Sequence, residues 1–343
     1  MPNELFSKTS NTGNQQRINS EFRQNSVNFS QEFFLKHRLV VMKLSRDLLA
    51  VEPGQQLQTI DYYIEQFSVS RGTIQMAMQF LIANGCISTE FRGHLGTYLI
   101  SKNKDKLWEF AGIGTLTGSM PIPLDIRASG FATGICDCMR TSTIPFNCIF
   151  IHGSQARING LMQGRYDFTV VTRLAEETSR KKCSNIEMVM DLPGCQYTEK
   201  YVYLFKNPKK TKIEDGMTVA LDPTSVDQAH LIKAACKNRK KIVIVQAPSF
   251  LNTRLSITSG EADVTVITTA VANALSPEYQ GHVKELSLPN YTKKDIERLS
   301  MPVVLILKDN YGMDILLKRI LRASSISNSL RGVMDGTLPS NFY

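Results

Sequence analysis

Hydroxyl-bearing residues recur at four places in the C-terminal two thirds of the chain, each where a strand is expected to give way to a helix: Ser129-Gly130, Thr172-Arg173, Thr224-Ser225 and Thr268-Thr269. A short hydroxyl beside the free N–H groups of a helix start suits a small anion such as a carboxylate or a phosphate. Arg173 adds a cation that could pair with that charge. The competing role for every one of these residues is simple N-capping and strand-end hydrogen bonding. A second set lies upstream. Arg71, Gly72, Thr73, Gln75 and Gln79 fall on the outward face of an expected helix, and arginine and glutamine are long enough to reach base edges in a DNA major groove. Thr59 and Ser70 open two short helices, and Arg92-Gly93-His94 sits at a hairpin tip. These ten residues are the candidate DNA contacts, and the eight before them the candidate ligand contacts.

No arrangement in the chain supports bond-making chemistry. The five histidines (His37, His94, His152, His230, His282) sit in unrelated segments, without a His-x-x-x-His or Gly-x-Ser-x-Gly pattern. No Gly-x-x-x-x-Gly-Lys cradle for phosphates is present. Cys136 and Cys138 form a C-x-C pair that nothing at ligand spacing completes, and on a helix their side chains point about 200° apart. The expectation is therefore no catalytic residue, no metal and no cofactor.

Two kinds of element must position the candidate residues. In the N-terminal part, Thr59 caps a helix with Ile60, Tyr63, Ile64 and Phe67 at i, i+3, i+4, i+7, and Ser70 caps a second with Ile74, Ala77, Met78 and Leu81 at the same spacing. Two short amphipathic helices joined so tightly bury both stripes only by crossing steeply, which is helix-turn-helix geometry. Asn84-Gly85 closes the second. Strands over 87–91 and 97–100 then flank the glycine-bearing tip. A further helix is expected over 33–49, ending before Pro53-Gly54. Residues 1–28, rich in Asn, Gln and Ser, are expected to be a flexible arm.

The rest of the chain contains an internal repeat. Gly164-Arg-Tyr-Asp167-Phe-Thr-Val170-Val-Thr172 parallels Gly260-Glu-Ala-Asp263-Val-Thr-Val266-Ile-Thr268, an offset of 96 residues that also pairs Ser129 with Ser225. Each copy is expected to run as a βαβαβ unit, opening with strands at 124–128 and 217–221, on a largely parallel sheet. Two such units side by side leave a cleft at the carboxyl ends of their strands, where open α/β sheets bind ligands. Gly164 and Gly260 are expected as helix C-caps, and Asp167 and Asp263 as turn residues.

Bulk properties agree with a multidomain protein. The chain has 343 residues, 42% apolar content and a mean hydropathy of −0.15, with no run of about 18 apolar residues and no secretory pattern at Met-Pro-Asn-Glu-Leu. Seven cysteines, an odd number, fit a reducing compartment, so a cytoplasmic location without membrane contact is expected. Net charge is +9, of which residues 1–107 carry 12 Lys/Arg against 9 Asp/Glu, or +3. The excess is thus not concentrated in the head, and the motif rather than the charge carries the expectation of DNA binding.

Residues 33–100 resemble the GntR-type winged helix. The resemblance rests on Gly54, Leu57, Thr59, Tyr63, Phe67, Val69-Ser70-Arg71, Thr73-Ile74, Leu81, Gly85 and Ile87, aligned without gaps, and on a wing motif at Gly93-His-Leu-Gly96-Thr97-Tyr98-Leu99 that is one residue longer. Two departures stand out: a usual phosphate-contacting arginine is Asp61 here, and the arginine usual after the Thr-Val pair is Gln75. The C-terminal half is similar to the periplasmic-binding-protein fold of solute receptors and LysR-type effector domains, through its Gly-x-x-Asp-x-x-Val signatures. The combination looks like the YhfZ family of regulators.

These resemblances imply an N-terminal all-α winged helix plus a C-terminal two-lobed α/β periplasmic-binding-protein-like domain. The expected boundaries are an arm over 1–28, a winged helix-turn-helix over 29–102, a linker over 103–122 and a ligand-binding domain over 123–343. Within that domain lobe I would hold 123–205 and 302–343, and lobe II 212–290. The implied partners are a double-stranded DNA operator, a small-molecule effector, most simply an anionic metabolite, and a second copy of the chain. Two alternatives are an enzyme on the same fold, or a solute-binding protein whose head does not bind DNA.

Overall fold

The computed structural model describes residues 37–142, 144–198, 200–286, 288, 291–292, 294–295, 297, 300–310 and 312–342. The expected arm over 1–28 lies outside the described residues. The chain divides into two units, Met1–Gly112 and Ile113–Tyr343.

In the first unit, helix α1 over residues 37–49 buries Val40, Leu44 and Leu48. Helix α2 (Ile60–Phe67) begins where the Thr59 hydroxyl accepts the Tyr62 N–H, and it ends at Ser68, whose φ of 54° is left-handed. Helix α3 (Arg71–Ala83) begins three residues later, where Ser70 accepts the Thr73 N–H. Its inner stripe is Ile74, Ala77 and Leu81, all buried at the spacing read from the sequence. Strands β1 (Ile87–Phe91) and β2 (Thr97–Lys102) pair antiparallel around a 3₁₀ turn at Gly93–Leu95, and Gln56 bridges to Tyr98 beside them. The first unit is thus helical with a β wing.

The stretch expected as a linker is ordered structure. Asn103 caps helix α4 (Lys104–Ala111), whose Leu107 and Ala111 are fully buried in the first unit, while residues 116–120 form a strand of the second. The glycines and prolines of 101–122 suggest a linker, but Leu107, Ala111 and Leu116 supply apolar anchors on either side of Gly112, whose φ of 60° closes α4.

The second unit holds two five-stranded sheets. The sheet of lobe I has the order β4-β3-β5-β12-β6: β3 is Leu116–Met120, β4 Phe146–Phe150, β5 Phe168–Thr172, β6 Ile186–Asp191 and β12 Pro302–Leu307. The sheet of lobe II has the order β11-β7-β10-β8-β9: β7 is Tyr201–Phe205, β8 Thr218–Leu221, β9 Val243–Gln246, β10 Val264–Thr268 and β11 Val283–Glu285. Strands β3, β4 and β5 are parallel, as are β8, β9 and β10, while β12 and β7 run antiparallel within them. Each lobe therefore receives its antiparallel strand from chain arriving from the other. For that reason β7 belongs to lobe II, not to lobe I as expected, and the sheets are mixed. Both faces of β5 and β10 are covered, which is why Phe168-Thr-Val-Val and Val264-Thr-Val-Ile read as continuous apolar runs.

Helices pack on those faces. In lobe I they are α5 (Ile126–Ser142), α6 (Ser154–Met162), α7 (Arg173–Arg180), α12 (Met313–Ile320) and α13 (Ala323–Met334); in lobe II they are α8 (Val226–Ala235), α9 (Phe250–Thr258) and the short α10 (Thr269–Asn273) and α11 (Pro277–Gln280). The core of lobe I includes Ile158, Leu161, Val171, Val303 and Leu305; that of lobe II includes Phe205, Val219, Leu231, Val264 and Val266.

The repeat is real, with a shifted start. Asp167 exchanges two bonds with Thr117, its carboxylate accepting the Thr117 N–H at 2.8 Å and its own N–H reaching the Thr117 carbonyl at 2.8 Å. Asp263 does the same with Thr218 at 2.8 and 2.8 Å. Each aspartate thereby pins the opening strand of its lobe. The opening strand of the first copy is β3, not 124–128, so the copies align at an offset of 101 there rather than 96. The pairing of Ser129 with Ser225 does not hold, because Ser129 lies inside α5.

Candidate functional site

The outward face of α3 carries Arg71, Gly72, Gln75, Met76 and Gln79, all exposed, with Thr73 half-buried. A Cβ on Gly72 would meet only the Ser70 hydroxyl, at 3.9 Å, so packing does not demand glycine there. What glycine does provide is a bare helix start that another backbone can approach. Thr59 and Ser70 act as N-caps. Thr73 also shares a 2.9 Å hydroxyl contact with Ser70. In the wing, Gly93 and Gly96 have φ of 57° and 84°, and a Cβ on Gly96 would lie 2.7 Å from the Gln56 amide that donates to Leu95. Glycine is needed at that turn. Arg92, Gly93 and His94 are exposed at its tip.

Both candidate arginines have carboxylate partners within the head. Arg71 pairs with Asp61, and Arg92 pairs with Glu90 at 2.6 Å while its guanidinium lies 4.5 Å from the Tyr98 ring centre. Asp61 is the residue standing where the GntR-type pattern has an arginine. Exposed pairs of this kind contribute at most about 1 kcal/mol, so a phosphate or a base edge can displace them.

The second unit contains a cavity of about 130 Å³ between its lobes, at the carboxyl ends of β3, β4, β8 and β10. Of the eight expected ligand residues, Ser225 and Thr268 line it. Thr172 stands just behind: its buried hydroxyl donates to the Asp227 carboxylate at 2.6 Å and accepts the Ala175 N–H. Thr172, Ser225 and Thr268 are N-caps of α7, α8 and α10, so the plain role and the location at the cleft coexist.

The other five are placed elsewhere. Gly130 faces α13, where an added Cβ would come 2.9 Å from the Leu330 carbonyl, and Gly134 makes the same close approach to Ile326. Its role is helix packing. Ser129 lies within α5 and its carbonyl accepts the Thr133 hydroxyl. Arg173 is tied to Asp191 and Met188 in lobe I. Thr224 turns its hydroxyl back to Asp222 at 2.7 Å, and Thr269 donates its N–H to the Lys200 carbonyl.

The residues that give the cavity its chemistry are ones the sequence reading missed. Arg157 on α6 is 4% exposed; its Nε donates to the Val170 carbonyl at 3.0 Å and its Nη1 to the Ile151 carbonyl at 2.8 Å. Burial depresses its pKa, and among the described residues no carboxylate lies within ion-pair distance of it. Asp227 on α8 faces it from lobe II. Burial pushes that carboxyl up to about 6, against the Thr172 hydrogen bond and the Arg157 charge, which pull it down. Tyr197 and Tyr201 complete the wall, and burial raises both phenols above their usual range.

Bonds between the lobes surround this chamber. His152 Nε2 lies 2.6 Å from Asp222 Oδ2, the Gln155 N–H donates to the Thr224 carbonyl at 3.1 Å, and the Val226 N–H reaches the Ser154 hydroxyl at 3.3 Å. Gly153, at φ 78°, permits the approach, since a Cβ would lie 2.4 Å from the Thr224 hydroxyl. Burial alone would raise the Asp222 carboxyl, but hydrogen bonds from His152 and Thr224 outweigh it and hold the pKa below the ordinary value. The helix starts of α6 and α8 thus cap each other across the cleft.

A signal for Arg157 was available. Ser154, Arg157, Ile158 and Leu161 share one helical stripe, and a charge on an otherwise apolar face requires a partner or a purpose. Asp222 directly follows the apolar strand β8 and Asp227 stands in the first turn of α8, but nothing in the sequence sets them apart from turn and helix-start residues.

Comparison with known proteins bears on both units. Residues 103–342 match the YhfZ C-terminal domain, and residues 52–99 match a helix-turn-helix domain. The uncharacterised protein YhfZ of Escherichia coli (strain K12) is 29% identical over 199 residues, 57% of this chain and 63% of that protein, so less than two thirds of the relative's length is spanned. The crystal structure of YhfZ from Shigella flexneri is similar with a TM-score of 0.55 and 22% identity, covering 69% of this chain and 96% of that one. The periplasmic VFT2 domain of Bordetella pertussis BvgS follows with a TM-score of 0.46 and 13% identity, over 67% of this chain and 98% of that one. The N-terminal helix-turn-helix and the C-terminal α/β fold agree with the sequence reading. Among the described residues no helix is long and apolar enough to cross a membrane, and no cluster of three metal-ligating side chains occurs.

Proposed function

Because this chain belongs to the YhfZ C-terminal-domain family and carries a helix-turn-helix ahead of that domain, we propose that it is a ligand-gated transcription regulator. The GntR-like head binds double-stranded operator DNA in the cytoplasm, most simply as a homodimer reading paired half-sites. The C-terminal cleft binds a small metabolite with an anionic group, and the occupied state has a different affinity for DNA. The chain acts by binding, not by turnover.

One observation carries this reading: a helix face built of Arg71, Gly72, Gln75 and Gln79 stands exposed on the same chain that buries an arginine in an interlobe cavity, without an ion pair among the described residues. The first feature has the dimensions and donors of a groove reader. The second suits an anion, since among the described residues no carboxylate lies within ion-pair distance of that guanidinium. Thermodynamic linkage joins them: a ligand that changes DNA affinity must have its own affinity changed by DNA to the same factor.

The test has two arms. Selection of bound duplexes from a random pool by the full-length protein should enrich a specific sequence, and Arg71→Ala should weaken its binding by about 1–3 kcal/mol. Affinity should also fall steeply with added salt through counterion release. Absence of any enriched sequence, together with salt-insensitive binding, removes DNA from the account and leaves the head as a protein-contact module.

A further inference from the structure

From the two unpaired charges in the interlobe cavity, Arg157 and Asp227, we infer that the ligand is a small amino acid, its carboxylate held by Arg157 and its ammonium by Asp227. This rests on the reading of the cleft as a ligand site and names the chemistry that would fill it.

Arg157 uses two of its five N–H groups on backbone carbonyls of lobe I, Nε on that of Val170 and Nη1 on that of Ile151. The remaining donors have no acceptor among the described residues, and the side chain lines the cavity. A buried guanidinium without a counter-charge costs several kcal/mol, which a carboxylate offsets through two parallel charge-assisted hydrogen bonds. One buried cation alone would leave carboxylate, phosphate and sulfate equally suitable. The rest of the lining decides between them.

Besides Arg157, the charged residues around the chamber are Asp125, His152, Asp222 and Asp227. Asp222 is satisfied by His152 and Thr224. Asp125 caps α5, accepting the Ala128 N–H at 2.7 Å. Asp227 accepts only the Thr172 hydroxyl among the described side chains and makes no ion pair with Arg157. Three carboxylates against one or two cations make a poor seat for a dianion. A molecule with one negative and one positive end meets both unpaired groups and leaves the charge balance unchanged.

Size points the same way. A cavity of about 130 Å³ falls well below the ~300–1,000 Å³ of drug-sized sites. A chamber of that size suits an amino acid with a short side chain better than a nucleotide or a sugar phosphate. Ile122, Leu124 and Val271 supply apolar wall for such a side chain, and Tyr197 and Tyr201 stand beside the two charges.

The experiment is a thermal-shift and calorimetric screen of the full-length protein with the twenty common L-amino acids, β-alanine and glycine betaine. Acetate, propionate, lactate, ethylamine and inorganic phosphate serve as probes that lack one charge or carry the wrong one. At least one small amino acid should raise Tm, while its deaminated and decarboxylated counterparts should not. Asp227→Asn, nearly isosteric, should weaken that amino acid by about 10- to 100-fold, the loss expected for a hydrogen bond to a charged group. Arg157→Gln should abolish binding; because it also removes backbone contacts, folding is checked by circular dichroism and the Asp227 variant carries the comparison. If lactate, propionate or phosphate binds as tightly as any amino acid and Asp227→Asn changes nothing, the zwitterion is wrong while the ligand cleft stands. If nothing in the panel binds, the inference is likewise overturned. Loss of DNA binding alone would instead count against the regulator reading and leave this one intact.

Discussion

Replacing Asp227 by asparagine should stabilise the protein at neutral pH, an unusual outcome for a buried polar residue. The carboxyl stands against Thr172, Arg157, Tyr197 and Tyr201, and burial raises its pKa to about 6. In the unfolded chain an aspartate titrates near 3.9. Between those values the folded protein keeps a proton that the unfolded chain has released. The contribution of this group to stability is therefore fully present below pH ~4 and is lost as pH rises through 6. The difference between the folded and unfolded pKa corresponds to about 3 kcal/mol by pH 7. An amide has no charge to bury and still accepts the Thr172 hydroxyl. Asp227→Asn should accordingly match the wild type near pH 4 and exceed it by up to about 3 kcal/mol at pH 7. For a unit of this size that is roughly 6–12 °C in Tm. Urea or thermal unfolding of both proteins across pH 4–8 measures it directly. Equal stability at pH 7, or a difference that does not change with pH, would refute the placement of Asp227 as a buried carboxyl without an ion-pair partner among the described residues. The stabilised variant should also be the poorer ligand binder, since sites retain costly groups for function.

Other outcomes follow from particular contacts. Asp61→Asn releases Arg71 and removes a negative charge from the DNA-facing side, so affinity for the selected duplex should rise in a fluorescence-anisotropy titration; unchanged or weaker binding would show that the Arg71–Asp61 pair holds the arginine in its reading position. Gly130→Val forces a side chain to within about 2.9 Å of the Leu330 carbonyl, and should cost about 1–3 kcal/mol in chemical denaturation, as overpacked helix contacts do. Its DNA binding should persist, because Gly130 is not a ligand contact. The Asp222 carboxyl is held below its ordinary pKa, so its contribution is present at neutral pH and is lost as pH falls through the depressed value. Asp222→Asn should therefore lower Tm at pH 7 and lose its difference from wild type at strongly acidic pH, checked by a pH series of melting curves.

Much of the architecture was legible because it rests on periodicity. The stripes Ile60–Phe67 and Ile74–Leu81, each behind a capping hydroxyl, could be satisfied only by two crossing helices, and Thr59 and Ser70 cap them as read. The twin Gly-x-x-Asp segments likewise mark the same junction in both lobes, where Asp167 and Asp263 hold their opening strands by identical bonds. What failed was register across interrupted pattern. Leu116–Met120 includes Gly118 and Ser119, so its strand character was masked; only packing explains it, since a Cβ on Gly118 would strike the Phe168 ring at 2.3 Å. The apolar Leu124 and Ile126 then passed for strand although they lead into α5. The exchange of β7 and β12 between lobes leaves no local signal at all, because each strand takes its place between two others of a sheet whose members are distant in sequence.

The candidate site divides similarly. N-caps are written in single residues, so Thr172, Ser225 and Thr268 were found, and two of them line the cavity. Arg157 and Asp227 come from helices of different lobes, 70 residues apart in sequence, and become neighbours only when the lobes meet. Their partners are backbone carbonyls and a threonine, not each other, which no pairing rule in the sequence would suggest. Arg173 was expected at the cleft because it abuts a strand end, but it pairs with Asp191 on the edge strand β6 and does not line the cavity.

The central claim is that one chain couples an anion-seeking cleft to a DNA-reading helix. Its most direct test is the dissociation constant of the full-length protein for its selected duplex, measured by anisotropy with and without the amino acid that raises Tm. A coupling of about 1–3 kcal/mol, or roughly 5- to 150-fold in affinity, is predicted for the wild type, with the shift in Asp227→Asn requiring about 10- to 100-fold more ligand. An identical dissociation constant at saturating ligand, in a protein shown to bind both partners, would contradict the account.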